Sequence, residues 1–196
     1  MNKNIDQLIE DSKSLLAQLI EIPSFSREED QTADCISTFL IERGISNNQV
    51  GNNVIAYNKY FDESKPTILI NSHHDTVKPN PGYTKDPFKA IVEDGKLYGL
   101  GSNDAGGCLV SLIAAFVHYY QDKNLAYNLC LIASAEEEIS GKNGIEEAYK
   151  HVVDCDFAIV GEPTLLDLAV AEKGLMVLDC TAYGESGHAA RDEGVN

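Results

Sequence analysis

Three short apolar runs, each followed within a few residues by side chains that bind cations, constrain the fold of this chain most. The runs are residues 67–70, 129–132 and 157–160, and helical patterns lie between them. Apolar runs that alternate with helices predict a sheet covered by helices on both faces, with mixed strand directions. We therefore predict an α/β fold with three layers, α/β/α, around a mixed central sheet.

The remaining elements follow from periodicity and turn residues. Apolar residues at helical spacing predict a helix over 5–20 that ends before Pro23. Ser26 to Glu29 have the pattern of a capping box that opens a second helix, and Gly44 stands where its C-terminal cap belongs. Further predicted elements are a strand at 53–58, a hairpin of 91–93 with 96–98, a helix at 104–120, a helix near 144–150 and a strand at 174–183. We place a domain boundary near Lys173, so that residues 1–173 form the main domain and 174–196 begin a second one.

Composition excludes some classes of function. The 196 residues carry a formal net charge of −16, which argues against nucleic-acid binding because phosphates require clustered Lys and Arg. No run approaches the roughly 20 apolar residues of a membrane helix. The first residues lack the apolar core of a signal peptide, so we expect a cytoplasmic protein that binds no membrane. The cysteines lack Cys-x-x-Cys spacing, and we interpret them as buried reduced thiols: Cys35, Cys108, Cys130, Cys155 and Cys180.

Candidate ligands cluster at the ends of the predicted strands. Open α/β sheets form their sites outside the carboxyl ends of strands, so clusters that are distant in sequence can converge in one crevice. Asp104 adds a further carboxylate behind the glycine-rich turn at 99–101. The side chains that follow the three runs are His73 and Asp75, then Glu136, Glu137 and Glu138, then Glu162.

These residue types indicate zinc, which takes imidazole nitrogen and carboxylate oxygen, whereas Ca²⁺ or Mg²⁺ would favour oxygen alone. In an extended segment His73 and Asp75 lie on the same side, so Asp75 is placed to hold the far nitrogen of His73. Glu137 and Glu138 would diverge, one as a metal ligand and its neighbour as a proton acceptor. We expect His74 to point away from the site.

Each motif taken alone has an ordinary structural explanation. A run of three glutamates is usually a solvated surface, and a single His-x-Asp is usually chance or structure. His118 and His151 lie on helical stretches and are interpreted as structural. The turn at 99–104 is no dinucleotide loop, because Asp104 replaces the third glycine and would repel phosphate. No Gly-x-Ser-x-Gly elbow supports a serine nucleophile.

Together these residues resemble the co-catalytic zinc deacylases and exopeptidases. That family includes acetylornithine deacetylase, succinyl-diaminopimelate desuccinylase, aminoacylase and glutamate-releasing carboxypeptidases. The order and spacing of the blocks make the resemblance far more specific than any single block. The blocks are Ser-His-His-Asp-Thr-Val at 72–77, Asp-Pro-Phe at 86–88, Leu-Tyr-Gly-Leu-Gly-Ser-Asn-Asp at 97–104, Ala-Glu-Glu-Glu-Ile-Ser-Gly at 135–141, Val-Gly-Glu-Pro-Thr at 160–164 and Gly-His-Ala-Ala at 187–190.

The resemblance implies a zinc-exopeptidase-like catalytic domain, the start of a smaller α+β lid or dimerisation domain, and two Zn²⁺ ions, with Co²⁺ as a possible substitute. Asp104 would bridge the two ions, His73 and Glu162 would complete one site, and Glu138 would bind the other. Glu137 would be the general base acting on a water between the ions, because Glu136 occupies the place of the family's usual Asp. The supporting residues would be Asp75 beside His73, and His188, which would steady the oxyanion in a neighbouring subunit of a homodimer.

The implied activity is removal of the acyl group from an N-acyl amino acid. The stretch from His73 to Asp104 most resembles enzymes acting on N-acetylornithine in arginine biosynthesis. N-succinyl-amino acid deacylation, dipeptidase or carboxypeptidase activity, and a catalytically inactive binding or dimerisation module remain alternatives. The family's Asp-Met-Lys-Gly-Gly stands here as Asp-Ala-Gly-Gly from 104 onward, and no late histidine follows His188 to complete the second zinc. We therefore expect a truncated chain.

Overall fold

The computed structural model describes residues 5–171 and, beyond them, residues 173, 174, 176, 178, 180, 181, 183 and 184. Four α-helices are present in this part of the chain. Helix α1 turns Leu8, Leu15 and Leu19 inward and ends before Pro23, as its periodicity predicts. The helices are α1 (Ile5–Glu21), α2 (Asp30–Ile41), α3 (Cys108–Tyr119) and α4 (Ile145–Tyr149).

Within the described residues, seven strands form two sheets. The larger sheet has the order β1-β2-β6-β3-β7, in which β3 pairs parallel with β6 and β7 while β2 runs antiparallel to β6. The mixed sheet confirms the predicted fold class. The smaller sheet is the predicted hairpin, whose turn residues Asp94 and Gly95 have φ of 51° and 73°. The strands are β1 (Asn48–Val50), β2 (Asn53–Tyr57), β3 (Thr67–His73), β4 (Ile91–Glu93), β5 (Lys96–Tyr98), β6 (Asn128–Ser134) and β7 (Phe157–Val160).

Alternate residues of the central strands face opposite helical layers. On one face, Ile68, Ile70 and Leu131 belong to a large core together with apolar residues of α1, α2 and α3. On the other face, Leu69 and Ile132 pack in a small core with Ala148 of α4. The sheet is therefore the middle of three layers, with most of the buried apolar surface on the α1–α3 side.

Strand register brings the site together. His73, the last residue of β3, pairs with Ser134, the last residue of β6. Asn71 of β3 pairs with Val160, the last residue of β7. Because these strands are parallel, their carboxyl ends meet at one edge of the sheet, which is where open α/β sheets form their sites.

Two predicted helix starts were wrong. Helix α2 begins at Asp30, and the residues predicted as a capping box bond elsewhere: Ser26 Oγ donates to Asp75 Oδ2 at 2.7 Å, and Glu29 makes no side-chain capping bond to α2. Helix α3 begins at Cys108, because the preceding Ser102–Gly107 segment is irregular, with non-helical φ and ψ at Asp104 and Ala105. In both cases the residues that were predicted to start the helix lie at the candidate site instead.

Strand β7 corrects a third expectation. Strands β3 and β6 are buried throughout, as their apolar runs predict. All four residues of β7 are exposed, and Phe157, Ile159 and Val160 are each about half accessible. Among the described residues β7 has β3 as its only strand neighbour, and so its other edge is open.

Contacts divide the chain into two units, Met1–Pro163 and Thr164–Asn196. The structure assigns no helix or strand to the described residues of the second unit. The strand predicted at 174–183 includes residues 175, 177, 179 and 182, which lie outside the described part, and the boundary at Lys173 stays a prediction. None of the helices in the described part of the chain has the length and hydrophobicity of a membrane span.

Candidate metal centre

His73 is the centre of the site. Its side chain is 1% exposed, and its Nδ1 lies 3.0 Å from the carbonyl oxygen of Asp75 and 3.4 Å from Asp75 Oδ1. Both neighbours are acceptors, so Nδ1–H donates to Asp75 and Nε2 is left facing the crevice. This is the ring orientation that a metal ligand requires.

Four carboxylates surround His73 Nε2, and we call them the rim: Asp104, Glu137, Glu138 and Glu162. Asp104 Oδ1 lies 3.2 Å from Nε2, and Glu137 Oε2 and Glu162 Oε1 each lie 3.7 Å from it. The side chains of Asp104 and Glu137 are 58% and 51% exposed. The predicted convergence of distant segments on one crevice is thus present in the structure.

Backbone geometry presents each rim residue to the crevice. Asp104 follows Gly101, whose φ of 71° and tight packing exclude a side chain, since a Cβ there would lie 2.6 Å from Thr76 Cγ2. Glu137 and Glu138 lie on a 3₁₀ turn directly after β6. Glu162 follows β7, and its neighbour Gly161 is fixed by donation of its N–H to Asn71 O.

Beneath the rim lies a second group of polar side chains, which we call the floor: Glu29, His74 and Asp75, all buried. Asp75 Oδ1 accepts the N–H of Glu137 at 3.0 Å, and Asp75 Oδ2 accepts the N–H of Glu138 at 3.1 Å and the hydroxyl of Ser26. Asp75 therefore binds His73 and the acidic turn together.

Glu29 and His74 complete the floor. Glu29 Oε1 accepts the N–H of Glu136 at 3.1 Å, and Glu29 Oε2 accepts Asn52 Nδ2–H at 2.7 Å. His74 Nε2 donates to Asn52 O at 2.9 Å, and its Nδ1 lies 2.8 Å from Thr32 Oγ1. His74 thus points away from the crevice, as predicted. Sequence reasoning missed Glu29 as a site residue, because its only visible signal was a local capping pattern.

The three consecutive glutamates divide between these groups. Glu136 is buried, and its side-chain oxygen accepts Asn143 Nδ2–H at 2.8 Å, so it faces the loop behind the turn. Glu137 and Glu138 face His73. Glu137 therefore lies beside His73 and Glu136 does not, while the role of Glu137 as the base stays a prediction.

The charges of the site favour a bound cation. Burial opposes a charged His73, but Asp75, Glu162 and Glu137 outweigh it and raise the pKa of His73 to about 9. Burial, followed by the charge of Asp104, raises the pKa of Glu138. Burial likewise raises the pKa of Glu162, with further contributions from Glu137 and Asp104. Crowded carboxylates hold protons in this way when no cation balances them.

Two sets of ligand atoms lie close enough to hold an ion. One set is His73, Asp104 and Glu138, the other is His73, Glu137 and Glu162, and within each the atoms lie within 4.8 Å of one another. The resemblance pairs His73 with Asp104 and Glu162 at one ion and assigns Glu138 to the other. All four predicted ligands are therefore in the cluster, while their division between two ions stays a prediction.

Other predicted residues lie outside this cluster. His188 falls outside the described residues. His118 and His151 are exposed on the surface, and His151 Nε2 lies 3.3 Å from Glu147. All five cysteines are free, as predicted, but Cys130 alone is fully buried and Cys180 is exposed, so the expectation of buried thiols was wrong for most of them.

A cavity of about 270 Å³ opens beside the rim. The uncharged part of its lining comes from Thr76, Val77, Tyr83 and the turn at 99–103. Its charged lining residues are Asp104 and Glu138, and among the described residues that line it there is no Lys, Arg or His.

Comparison with known proteins identifies the class of this chain. Residues 69–181 match Peptidase family M20/M25/M40, and the chain belongs to that family. A solved M20 family metallo-carboxypeptidase from Sulfolobus solfataricus superimposes with a TM-score of 0.65 at 25% identity, over 78% of this chain and 37% of the other. The likeness confirms the predicted family and fold.

Among curated proteins the similar relatives include acetylornithine deacetylases and, at 27% identity over 92% of this chain, a succinyl-diaminopimelate desuccinylase from Rickettsia bellii (strain OSU 85-389). The Proteus mirabilis enzyme is 37% identical over 131 residues, which cover 66% of this chain and 34% of the relative. The enzyme from Buchnera aphidicola subsp. Acyrthosiphon pisum (strain 5A) is 32% identical over 211 residues, covering 100% of this chain and 53% of the relative. The chain thus spans between a third and about half of the length of these relatives.

Proposed function

We propose that this chain is the metal-binding catalytic part of an amidohydrolase that removes the acyl group from an N-acyl amino acid. The observation that supports this most is the convergence of four carboxylates on the crevice-facing nitrogen of a buried histidine, at the carboxyl edge of a sheet. Membership of the M20 family supports amide hydrolysis as the reaction.

The donor set suits zinc. Imidazole nitrogen and carboxylate oxygen are both zinc ligands, and the crowded negative charge of the rim is what a divalent cation would neutralise. We propose His73, Asp104, Glu138 and Glu162 as the ligands of two Zn²⁺ ions, with Asp104 shared between them. Such ions would supply Lewis-acid polarisation of the amide carbonyl and lower the pKa of water.

Residues of the chain itself would move the proton. Glu137 has a side chain that is half exposed and a backbone N–H fixed by Asp75, so its carboxylate is held at the crevice yet open to it. We assign it to accept a proton from water and to deliver it to the leaving nitrogen. Asp75 would keep His73 in the required tautomer. His188 stays our proposed oxyanion-stabilising residue, from a neighbouring subunit of a homodimer.

We propose N-acetylornithine as the substrate, in arginine biosynthesis in the cytoplasm. The similarity to acetylornithine deacetylases supports it. N-succinyl-amino acids and dipeptides are the next candidates.

A substrate panel tests this proposal. The full gene product that contains this chain would be loaded with Zn²⁺ or Co²⁺ and assayed with N-acetylornithine, N-succinyl-diaminopimelate and a dipeptide. We expect kcat/KM to be highest for N-acetylornithine, with two metal ions per chain by elemental analysis. No turnover of any of these substrates, together with no bound metal, would favour an inactive binding module and defeat the enzyme hypothesis.

The role of Glu137 has its own test. Glu137→Gln keeps the shape of the side chain but removes the proton acceptor, so we expect kcat to fall at least about 100-fold. Metal content, measured by elemental analysis, should stay at the parent level. Glu63→Gln, an equal change of charge at an exposed position, is the control. A fully active Glu137→Gln enzyme would show that the base lies elsewhere.

A further inference from the structure

We propose that Glu29 is a positioning residue of the metal centre: its buried carboxylate fixes the turn that presents Glu137 and Glu138 to His73. The metal-binding part of this inference rests on the proposed function. Glu29 itself lies outside the rim and contacts neither His73 nor the other candidate ligands through any described hydrogen bond.

The turn is held by its backbone N–H groups. Three consecutive N–H groups, those of Glu136, Glu137 and Glu138, point at buried carboxylates. Asp75 accepts the second and third of them, one on each oxygen, and Glu29 accepts the first at 3.1 Å. Two buried carboxylates therefore hold the three consecutive N–H groups at the start of the acidic turn.

The N–H of Glu136 occurs where the turn is conformationally most demanding. Glu136 has φ of 52° and ψ of 24°, a left-handed conformation that a residue with a Cβ adopts only when its surroundings hold it there. Glu136 is also buried, so water would not readily replace a lost partner of its N–H. Loss of the Glu29 acceptor would release the start of the turn while Asp75 still held its end.

Glu29 can act as an anchor because its own carboxylate is fixed. It is 0% exposed, and besides Glu136 it accepts the N–H of Arg27 at 2.7 Å and Asn52 Nδ2–H at 2.7 Å. Asn52 in turn accepts His74 Nε2–H through its carbonyl oxygen. Glu29 is thus linked through Asn52 to His74, and directly to Glu136 of the turn, 107 residues away in sequence.

The consequence concerns cation binding. Glu137 and Glu138 each belong to a set of ligand atoms that lie within 4.8 Å of one another, and both are set by this one turn. Loss of hydrogen bonds that orient ligands typically lowers metal affinity 10–100-fold. Glu29 should therefore affect affinity without touching the ion.

Three variants separate positioning from general stability. Glu29→Met keeps the length of the side chain and removes every acceptor. Glu29→Gln keeps an Oε1 that can accept from Glu136 and Arg27, and its amide can donate to Asn52 once the Asn52 amide is turned around. Ile36→Val, a buried change in α2, the helix that follows Glu29, is the control for loss of stability. Co²⁺ binding would be measured by titration of the visible absorption of the ion.

We expect Glu29→Met to weaken Co²⁺ binding about tenfold or more and to change the absorption bands at saturation. Glu29→Gln should recover binding to within about threefold of the parent, and Ile36→Val should leave affinity and bands unchanged. Equal behaviour of Met and Gln, or parent-like binding by the Met variant, would overturn the proposal.

A second measurement does not depend on metal or on activity. Hydrogen exchange of the segment 134–141 would be compared in metal-free parent, Glu29→Gln and Ile36→Val protein, which also covers the case in which Glu29→Met fails to fold. Because Gln is the weaker acceptor, we expect faster exchange of this segment in Glu29→Gln alone. Unchanged exchange of this segment in Glu29→Gln would reject the positioning role even if the chain binds metal. A parent protein that binds no Co²⁺ would reject the metal proposal, and the exchange experiment would still test the positioning role.

Discussion

The carboxylates of the floor are fully buried, with Asp75 and Glu29 both 0% exposed, whereas Asp104 and Glu137 of the rim are 58% and 51% exposed. Each floor carboxylate accepts hydrogen bonds from at least two donors. The rim carboxylates face one another and a single imidazole. We therefore expect the floor to stabilise the fold without a metal, and the rim to favour the fold only when a cation is bound.

The largest effect should follow from a change in the floor. Asp75→Asn removes a buried charge that orders His73 and two N–H groups, so we expect the metal-free protein to lose about 3 kcal/mol of unfolding free energy. Urea denaturation at neutral pH measures it, with Glu63→Gln as the exposed control.

The pH dependence of that loss has a defined sign. Burial opposes ionisation of Asp75, but hydrogen bonds from His73 and Ser26 and from the turn lower its pKa. Its stabilising contribution is therefore present above the ordinary Asp pKa of about 3.9 and is lost as pH falls below it. The difference between parent and Asp75→Asn should shrink below about pH 4, and a difference independent of pH would contradict the assignment.

A smaller loss of unfolding free energy is expected from a change at Ser26, which donates a hydrogen bond to Asp75. Ser26→Ala removes the 2.7 Å hydrogen bond to Asp75 Oδ2, and we expect a loss of about 1 kcal/mol in the same denaturation experiment. Ser64→Ala removes a 2.7 Å bond to the exposed Asp62 and should leave the midpoint unchanged. If the two variants shifted the midpoint equally, burial would not be the reason why the hydrogen bond from Ser26 to Asp75 contributes to stability.

The smallest effect, with opposite sign, should come from the rim. Burial and neighbouring carboxylates raise the pKa of Glu162, so its ionisation disfavours the folded metal-free protein. This cost is absent below the ordinary Glu pKa of about 4.3 and grows as pH rises above it. In a metal-chelating buffer, Glu162→Gln should therefore raise the Tm at pH 7 and have little effect near pH 4. A lower Tm at pH 7 would show that Glu162, like the floor carboxylates, stabilises the metal-free fold.

Much of the fold could be predicted because it depends on local pattern. The runs that became β3 and β6, the Asp94-Gly95 hairpin and helix α1 all carry their signal within a few residues. The family blocks likewise predicted all four rim residues and Asp75. What the pattern could not show was the start of α2, because the partners of Ser26 and Glu29 lie 49 and 107 residues away.

The same reason explains why Glu29 was missed. A glutamate three residues after a serine is a common local motif, and nothing in its neighbours indicates that the side chain turns inward. For strand β7 the pattern predicted burial, and the strand is exposed. An apolar run of four residues predicts burial, but burial depends on which elements cover the strand.

Strand β7 also bears on how this chain behaves in a test tube. An apolar strand with an unpaired edge is a template for pairing with another copy. With a formal net charge of −16, copies of the chain repel one another at low ionic strength, because the Debye length is about 30 Å at 0.01 M. At 1 M salt that length shrinks to about 3 Å and the repulsion no longer reaches beyond contact. We therefore expect association through the open edge of β7 to increase with ionic strength.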